Sequence, residues 1–417
     1  MRPAAIPFLL AVAAVASAQS NDANYDESRV PNYKLPDPLA AADGKPVSEA
    51  AAWPARRAEI FRLFETEMFG KSPARPSSFK TELVSSGPAL GGKAVRKQVD
   101  LFFGGPARAR LLLYLPAKAS GRVPMFLGLN FGGNHTVNAD PGITLGTVWG
   151  RDRVAATPRA EDRGRAASRW PVEQILARGY GVATIYYGDI DPDFNDGFQN
   201  GLHPVFHAPG QTSPKPGEWG SIAAWAWGMS RALDYLETDP GVDGKHVAAI
   251  GHSRLGKTAL WAGAADERFA MVISNDSGEG GAALSRRIFG EQTRRINTSF
   301  PHWFTENYKQ YNDREAELPF DQHMLIALIA PRPVYIASAR EDLWADPHGE
   351  FLSAVAASPV YKLLGTDGFG ATAGDWPPAK PVQTTIGYHV RDGGHDITIV
   401  DWLNYLDFAD LQWKRAK

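Results

Sequence analysis

Apolar positions along this chain change period as it proceeds. Around Ser48 to Met68 the run RRAEIFRLFETEMF sets Ile60, Leu63, Phe64 and Phe69 near helical spacing, which predicts a helix. Strand-like runs follow at Lys97–Phe103 and Arg108–Pro116, flanking Gly104-Gly105-Pro106 as a hairpin. Beyond them, short apolar runs alternate with amphipathic segments. The predicted strands are Val123–Asn130, Gly181–Tyr187, His246–Gly251, Phe269–Ser274, Val334–Ala339 and Thr384–Arg391. The predicted helices are Trp170–Arg178, Glu218–Glu237, Arg254–Ala264 and Ile397–Lys414. Glu218–Glu237 is the clearest, with Ile222, Trp225, Ala226, Met229, Leu233 and Leu236 on one face.

Buried strands alternating with helices imply a mostly parallel sheet covered on both faces. The early hairpin adds an antiparallel edge. This is the element order of an α/β-hydrolase three-layer sandwich. Residues 19–46 are polar and contain prolines, as in an extended arm. Residues 279–330 are long enough for a helical insertion, and no second domain or repeat is evident. The expected layout is one catalytic domain over 19–417.

At the N-terminus, Arg2 precedes an apolar stretch from Ile6 to Ala16, and Ala16-Ser17-Ala18 fits a small-x-small cleavage site. Residues 1–18 read as a secretory signal peptide, so a secreted or periplasmic protein is expected. With 44 Lys and Arg against 46 Asp and Glu, the net charge of −2 offers no reason to expect nucleic acid or a membrane as partner. A monomer acting on a small molecule or a polysaccharide is expected. There is no cysteine, which excludes disulfides, thiolate nucleophiles and iron–sulfur clusters. Twelve Trp residues are many; most are expected in the core, although aromatic faces also line carbohydrate grooves.

The strongest chemical signal is His246-Val247-Ala248-Ala249-Ile250-Gly251-His252-Ser253-Arg254-Leu255-Gly256-Lys257. A strand running through Gly-His-Ser into a helix is the setting of a nucleophile elbow, where helix amides can stabilise an oxyanion. The second glycine of the usual G-x-S-x-G arrives one place late, at Gly256. The alternative is a serine that merely caps a helix. A base should follow in chain order after an acid. His395, in Arg391-Asp392-Gly393-Gly394-His395-Asp396, stands just before the closing helix and suits that role. Two acids compete to orient it: Asp342 after strand Val334–Ala339, and Asp276 after the preceding strand. Phe131-Gly132-Gly133-Asn134-His135 can bring further backbone N–H groups to a substrate oxygen. No metal-ligand spacing, phosphate loop or dinucleotide motif is present, so neither a metal nor a cofactor is implied.

With these residues in hand, the sequence resembles the bacterial glucuronoyl esterases. The matching stretches are GHSRLGKTALWAGAADERFA, ISNDSGEGGAALSRR, FPHWF, EDLWADPHGEF and GGHD, with RRAEIFRLFETEMFG upstream. The family's elbow reads G-x-S-R-x-G, which accounts for the shifted glycine; fungal members carry Cys where this chain has His252. The resemblance implies a serine esterase that cleaves the ester between 4-O-methyl-glucuronic acid on xylan and lignin alcohols. It implies Ser253 as nucleophile, His395 as base and Arg254 in the oxyanion hole. Lys257, Glu291 and Trp344 would hold the sugar; without the resemblance, Lys257 and Glu291 read as solvated charges and Trp344 as core. The family's acid is often Glu at the position of Asp276, and some bacterial members use one matching Asp342. The shorter Asp at 276 favours Asp342 here.

The rivals on the same machinery are an acetyl-xylan esterase or a peptidase. A hydrolase-like carbohydrate-binding protein without catalysis is the rival from another class.

Overall fold

The structure, a computed structural model, describes residues 23–414. The signal peptide read at 1–18 lies outside them. A ten-stranded sheet runs in the order β1-β2-β3-β7-β4-β8-β9-β10-β12-β11. Its antiparallel side is β1 (Lys80–Ala89), β2 (Ala94–Gly104) and β3 (Ala107–Pro116); a small ribbon, β5 (Val148–Trp149) with β6 (Ala155–Ala156), stands apart. The parallel centre is β4 (Val123–Asn130), β7 (Gly181–Tyr186), β8 (Val242–His252), β9 (Met271–Asn275), β10 (Val334–Ala339) and β12 (Ile386–Arg391), and β11 (Val382–Gln383) closes the edge.

The helices in chain order are α1 (Trp53–Phe64), α2 (Val172–Ala177), α3 (Tyr187–Ile190), α4 (His203–Phe206), α5 (Ser221–Leu236), α6 (Arg254–Ala265), α7 (Thr293–Ser299), α8 (Gln322–Ala327), α9 (Pro347–Leu363) and α10 (Ile399–Gln412). Every residue of β4 is buried, as expected for a central strand covered on both faces. Alternate residues feed two cores. Met125 and Leu127 join Trp225, Leu260 and Trp261 on one face, while Phe126 packs with Ala248, Ile250, Trp402 and Tyr405 on the other. The indoles of Trp225, Trp261 and Trp402 are almost wholly buried. Each such burial contributes about 3 kcal/mol of transfer free energy.

Several predicted boundaries shift. The first helix begins at Trp53 rather than Ser48, after a 3-10 turn at Ala50–Ala52 and with proline in its opening turn. It ends in a π turn, Glu65–Phe69, followed by Gly70 at φ +81°. A Cβ at Gly70 would lie 2.1 Å from the Glu218 carbonyl oxygen, so the chain needs glycine there. Of the elements that were not predicted, β1 and α9 are the longest. β1 is an edge strand with almost no buried residue, so its sequence lacks the apolar alternation of a half-covered strand. α9 carries Pro359 inside it, which breaks the helical reading. Residues 279–330 run as loops and 3-10 turns with the short helices α7 and α8.

Candidate active site

β8 ends at His252 and α6 begins at Arg254, so the whole reversal falls on Ser253. That residue takes φ +59°, ψ −131°. A non-glycine residue pays on the order of 1–3 kcal/mol for such a conformation, and it persists because its surroundings fix it. The Ser253 N–H donates to the Asn275 carbonyl at 2.8 Å, and its own carbonyl accepts from Gly256 N at 2.8 Å. Gly251 is obligatory in the turn, since a Cβ there would sit 1.8 Å from the Leu255 carbonyl oxygen. At Gly256 a Cβ would meet Ser277 at 3.0 Å, so the second glycine lets α6 approach the loop after β9. The late glycine therefore has a packing reason.

His395 lies in the loop between β12 and α10, its side chain 42% exposed. Asp342, almost buried at the end of β10, takes the imidazole: its Oδ2 is 2.5 Å from His395 Nδ1. Asp276 stands close by, since donor atoms of Asp276, Asp342 and His395 all lie within 4.8 Å of one another. Its nearest cation is Arg391, whose Nη2 is 3.4 Å from Asp276 Oδ2. Burial first, then the Glu350 and Asp342 carboxyls, push Asp276 well above the ordinary carboxylate range, with Arg391 opposing. A carboxyl that favours its neutral form is poorly suited to stabilise an imidazolium. Of the two sequence candidates, the geometry brings Asp342 to the histidine. Among the described residues no hydrogen bond joins Ser253 Oγ to His395, a contact that commonly tightens only when substrate binds.

The residue before Ser253 has its own place. His252 is buried, its Nδ1 2.6 Å from Asn275 Oδ1 and its ring 4.6 Å from that of His395. Burial, and then the neighbouring His395, hold it well below the usual histidine range, so it backs the His395 ring as a neutral group.

Arg254 packs among aromatic rings. Its guanidinium carbon lies 4.9 Å from the Trp303 ring centre and 5.8 Å from that of Phe131, and Nη1 is clamped by Asp193. Asp193 in turn accepts from Trp303 Nε1 at 2.7 Å, and its Oδ1 is 3.0 Å from His302 Nε2. Burial would raise the Asp193 carboxyl, but the His302 contact, the Arg254 charge and the Trp303 bond bring it down to about 2. It is thus a fixed anion that locks Arg254 in place. Sequence reasoning did not single out Asp193. His302 and Trp303 lay within the FPHWF stretch, where the aromatic density was the available signal.

Lys257 and Glu291 are nearly fully buried, 3.8 Å apart, and Lys257 Nζ also donates to the Ser277 carbonyl at 2.5 Å. Reading them as solvated charges is therefore overturned. Burial pushes Lys257 down and Glu291 up, and their mutual attraction opposes both shifts. The Glu291 N–H donates to the Trp344 carbonyl at 2.9 Å. Trp344 is half-buried rather than core, and with Gly290 and Gln292 it lines a hollow of about 370 Å³.

Arg391 was seen in the sequence only as a neighbour of His395. Its buried guanidinium holds the histidine loop from inside, with Nε on Asp401 at 2.8 Å, Nη1 on the Asp392 carbonyl at 3.1 Å and Nη2 on the Gly394 carbonyl at 3.1 Å and on that of Asp396.

A relative described as carbohydrate esterase MZ0003, from an unknown prokaryotic organism, is 56% identical over 407 residues, covering 94% of this chain and 93% of its own. The solved glucuronoyl esterase from Solibacter usitatus is 54% identical over 93% of this chain and all of that one. The chain belongs to the glucuronoyl esterase family. The family described as "Glucuronyl esterase, fungi" matches residues 213–365, the span from the approach to α5 through α9. The Solibacter usitatus structure superimposes with a TM-score of 0.90. A 4-O-methyl-glucuronoyl methylesterase of Cerrena unicolor is 28% identical over 93% of this chain and 76% of its own. As a member of the family, this glucuronoyl esterase relative is a carboxylic ester hydrolase on the α/β-hydrolase fold.

Proposed function

We propose that the protein hydrolyses the ester between 4-O-methyl-glucuronic acid of glucuronoxylan and lignin alcohols, as a secreted single-domain enzyme with a Ser253–His395–Asp342 triad. The observation that carries this reading is the 2.5 Å contact between His395 Nδ1 and Asp342 Oδ2 beside a serine at φ +59°. The names of the relatives supply the glucuronoyl acid.

His395 takes the proton of Ser253 as the serine oxygen attacks the ester carbonyl, and Asp342 steadies the imidazolium. The tetrahedral intermediate puts charge on the carbonyl oxygen. The Arg254 backbone N–H at the start of α6 and its pinned guanidinium face that charge, joined by N–H groups of the Gly132-Gly133 loop. Gly133 takes φ +94°, and a Cβ there would meet Val148 at 2.7 Å, so glycine keeps this loop close. Collapse returns the proton to the leaving alcohol. The glucuronoyl group remains on Ser253 until water, deprotonated by His395, releases the acid. Lys257, Glu291 and Trp344 hold the sugar, the buried ion pair towards its hydroxyls and the indole towards its apolar face.

Among the described residues no helix is long and apolar enough to cross a membrane. The secreted location rests on the leader read at 1–18.

The test is hydrolysis of benzyl glucuronate beside acetylated xylan, with Ser253→Ala as control. Cleavage of the glucuronate ester that disappears in the variant is expected. Cleavage of acetyl groups alone would keep the triad and remove the glucuronoyl assignment.

A further inference from the structure

Two adjoining hollows of about 600 and 370 Å³ share Arg108, Thr147 and Asp189 as lining, and Ser253 lines neither. Their walls are the β2–β3 turn at Gly105 and Pro106, the β5–β6 ribbon, and the chain from Gly188 to Val205. Because β3 is antiparallel to β7, the first residues of β3 stand at the carboxyl end of β7. That is the edge of the sheet on which β8 also delivers Ser253. Two strands, β7 and β4, separate β3 from β8, so the β3 wall of the cleft stands three strand spacings, about 14 Å, from the strand that carries Ser253.

The lining is stiff. The Trp149 indole donates from Nε1 to the Gly188 carbonyl at 3.2 Å, its backbone N–H donates to Tyr186 Oη at 3.1 Å, and its ring meets Phe194 edge-on at 5.3 Å. It is half-buried, leaving part of the ring to the cleft. Asp189 Oδ2 accepts the Arg110 N–H at 3.1 Å. Arg110 grips both oxygens of Asp100, at 2.7 and 2.8 Å, while Arg108 remains 61% exposed. The charged lining is therefore Arg108 and Arg110 against Asp100 and Asp189, and it balances. A polyanion or a polycation would find no net field here. A balanced set of donors and acceptors beside a fixed indole suits hydroxyl groups and the apolar face of a sugar ring.

We propose that this cleft is a second carbohydrate-binding site that holds a stretch of neutral, linear glycan, with Trp149 under one sugar face and Arg108, Asp189, Gln199 and Asn200 on its hydroxyls. The choice of glycan rests on the function proposed above: the xylan main chain leaving the ester site would enter it.

The test uses the full chain and a linear xylo-oligosaccharide carrying no uronic acid, titrated by calorimetry. Wild type should bind it, and Trp149→Ala should weaken binding about tenfold, the loss of one aromatic contact. Arg108→Ala and Gln199→Ala should each weaken it less, and they keep the test open if Trp149→Ala fails to fold. All three variants should cleave benzyl glucuronate at the wild-type rate but release less from a polymeric glucuronoxylan ester. No binding by wild type, or equal binding in wild type and all three variants, overturns the proposal. So does binding lost in Lys257→Ala but kept in the cleft variants, which would put the glycan at the ester site. If benzyl glucuronate is not cleaved while the oligosaccharide still binds through Trp149, the ester assignment fails and the cleft stands.

Discussion

Lys257, one helical turn beyond Ser253, forms an ion pair with Glu291, with Nζ and Oε2 3.8 Å apart and side chains only 4% and 7% exposed. Removing two charges from water is costly, and a pair at that distance recovers the cost incompletely. A protein gains little stability from such a pair, so its presence beside Ser253 fits a site waiting for sugar hydroxyls. Lys257→Met should leave Glu291 buried and unpaired, destabilise the fold by about 3–5 kcal/mol and raise KM for a glucuronate ester. The double variant Lys257→Met/Glu291→Leu should recover most of the stability without recovering activity. Denaturant unfolding with steady-state kinetics separates the two effects.

Asp342→Asn should lower kcat on benzyl glucuronate by about 10⁴, because the carboxylate that fixes the His395 tautomer is lost. Asp276→Asn should stay within about tenfold of wild type, since that carboxyl already favours its neutral form. A reversal of this order in steady-state kinetics would move the orienting role to Asp276.

Arg391 ties Asp401, and more weakly Asp276, to the carbonyls around His395. Arg391→Lys keeps the charge but cannot span those acceptors as a planar fork can. It should therefore lower kcat with KM nearly unchanged. Arg391→Met should instead lower Tm sharply, leaving buried acids without their cation. A loss confined to KM in the lysine variant would argue against a role in holding the histidine loop.

Asp193 predicts a defect of its own. Asp193→Asn would keep an acceptor for Trp303 but free Arg254 from its anion. Charge stabilisation at the oxyanion would then lose its fixed geometry, and kcat should fall by about 10²-fold with substrate binding largely retained. Rates across a set of leaving alcohols check this, since every substrate should slow alike.

Glu279 gives a pH dependence of stability. It is buried, and all three of its hydroxyl donors, Tyr308, Thr293 and Ser285, reach the same oxygen. Burial pushes its carboxyl up to about 8 from an ordinary 4.5. The native state therefore keeps a proton that the unfolded chain releases. Its contribution is full below about pH 4.5 and is lost as pH rises through 8. Glu279→Gln keeps the acceptor oxygen without the titration. The variant should be more stable than wild type above pH 8, on the order of 1 kcal/mol or more, and thermal melts at pH 5 and pH 9 measure the change in slope.

The parallel centre of the sheet and the elbow were legible in the order of amino acids. Val123–Asn130 and Val334–Ala339 were readable to the residue because strands buried on both faces are near-continuous apolar runs. Ser253 and His395 were readable because a strand–turn–helix serine and a glycine-loosened histidine are local patterns. Edge strand β1 was not legible, since it buries almost nothing and so leaves no periodic mark. Nor was α9, whose internal Pro359 interrupts the pattern while packing still keeps the helix. Tertiary structure alone decided what depends on distance between remote segments. It set Asp342, the acid the family resemblance already favoured, at the imidazole, buried Lys257 with Glu291, and set Asp193 against Arg254 across 61 residues of chain. A side chain's ionisation and partner are properties of its surroundings, and those surroundings come from segments far apart along the chain.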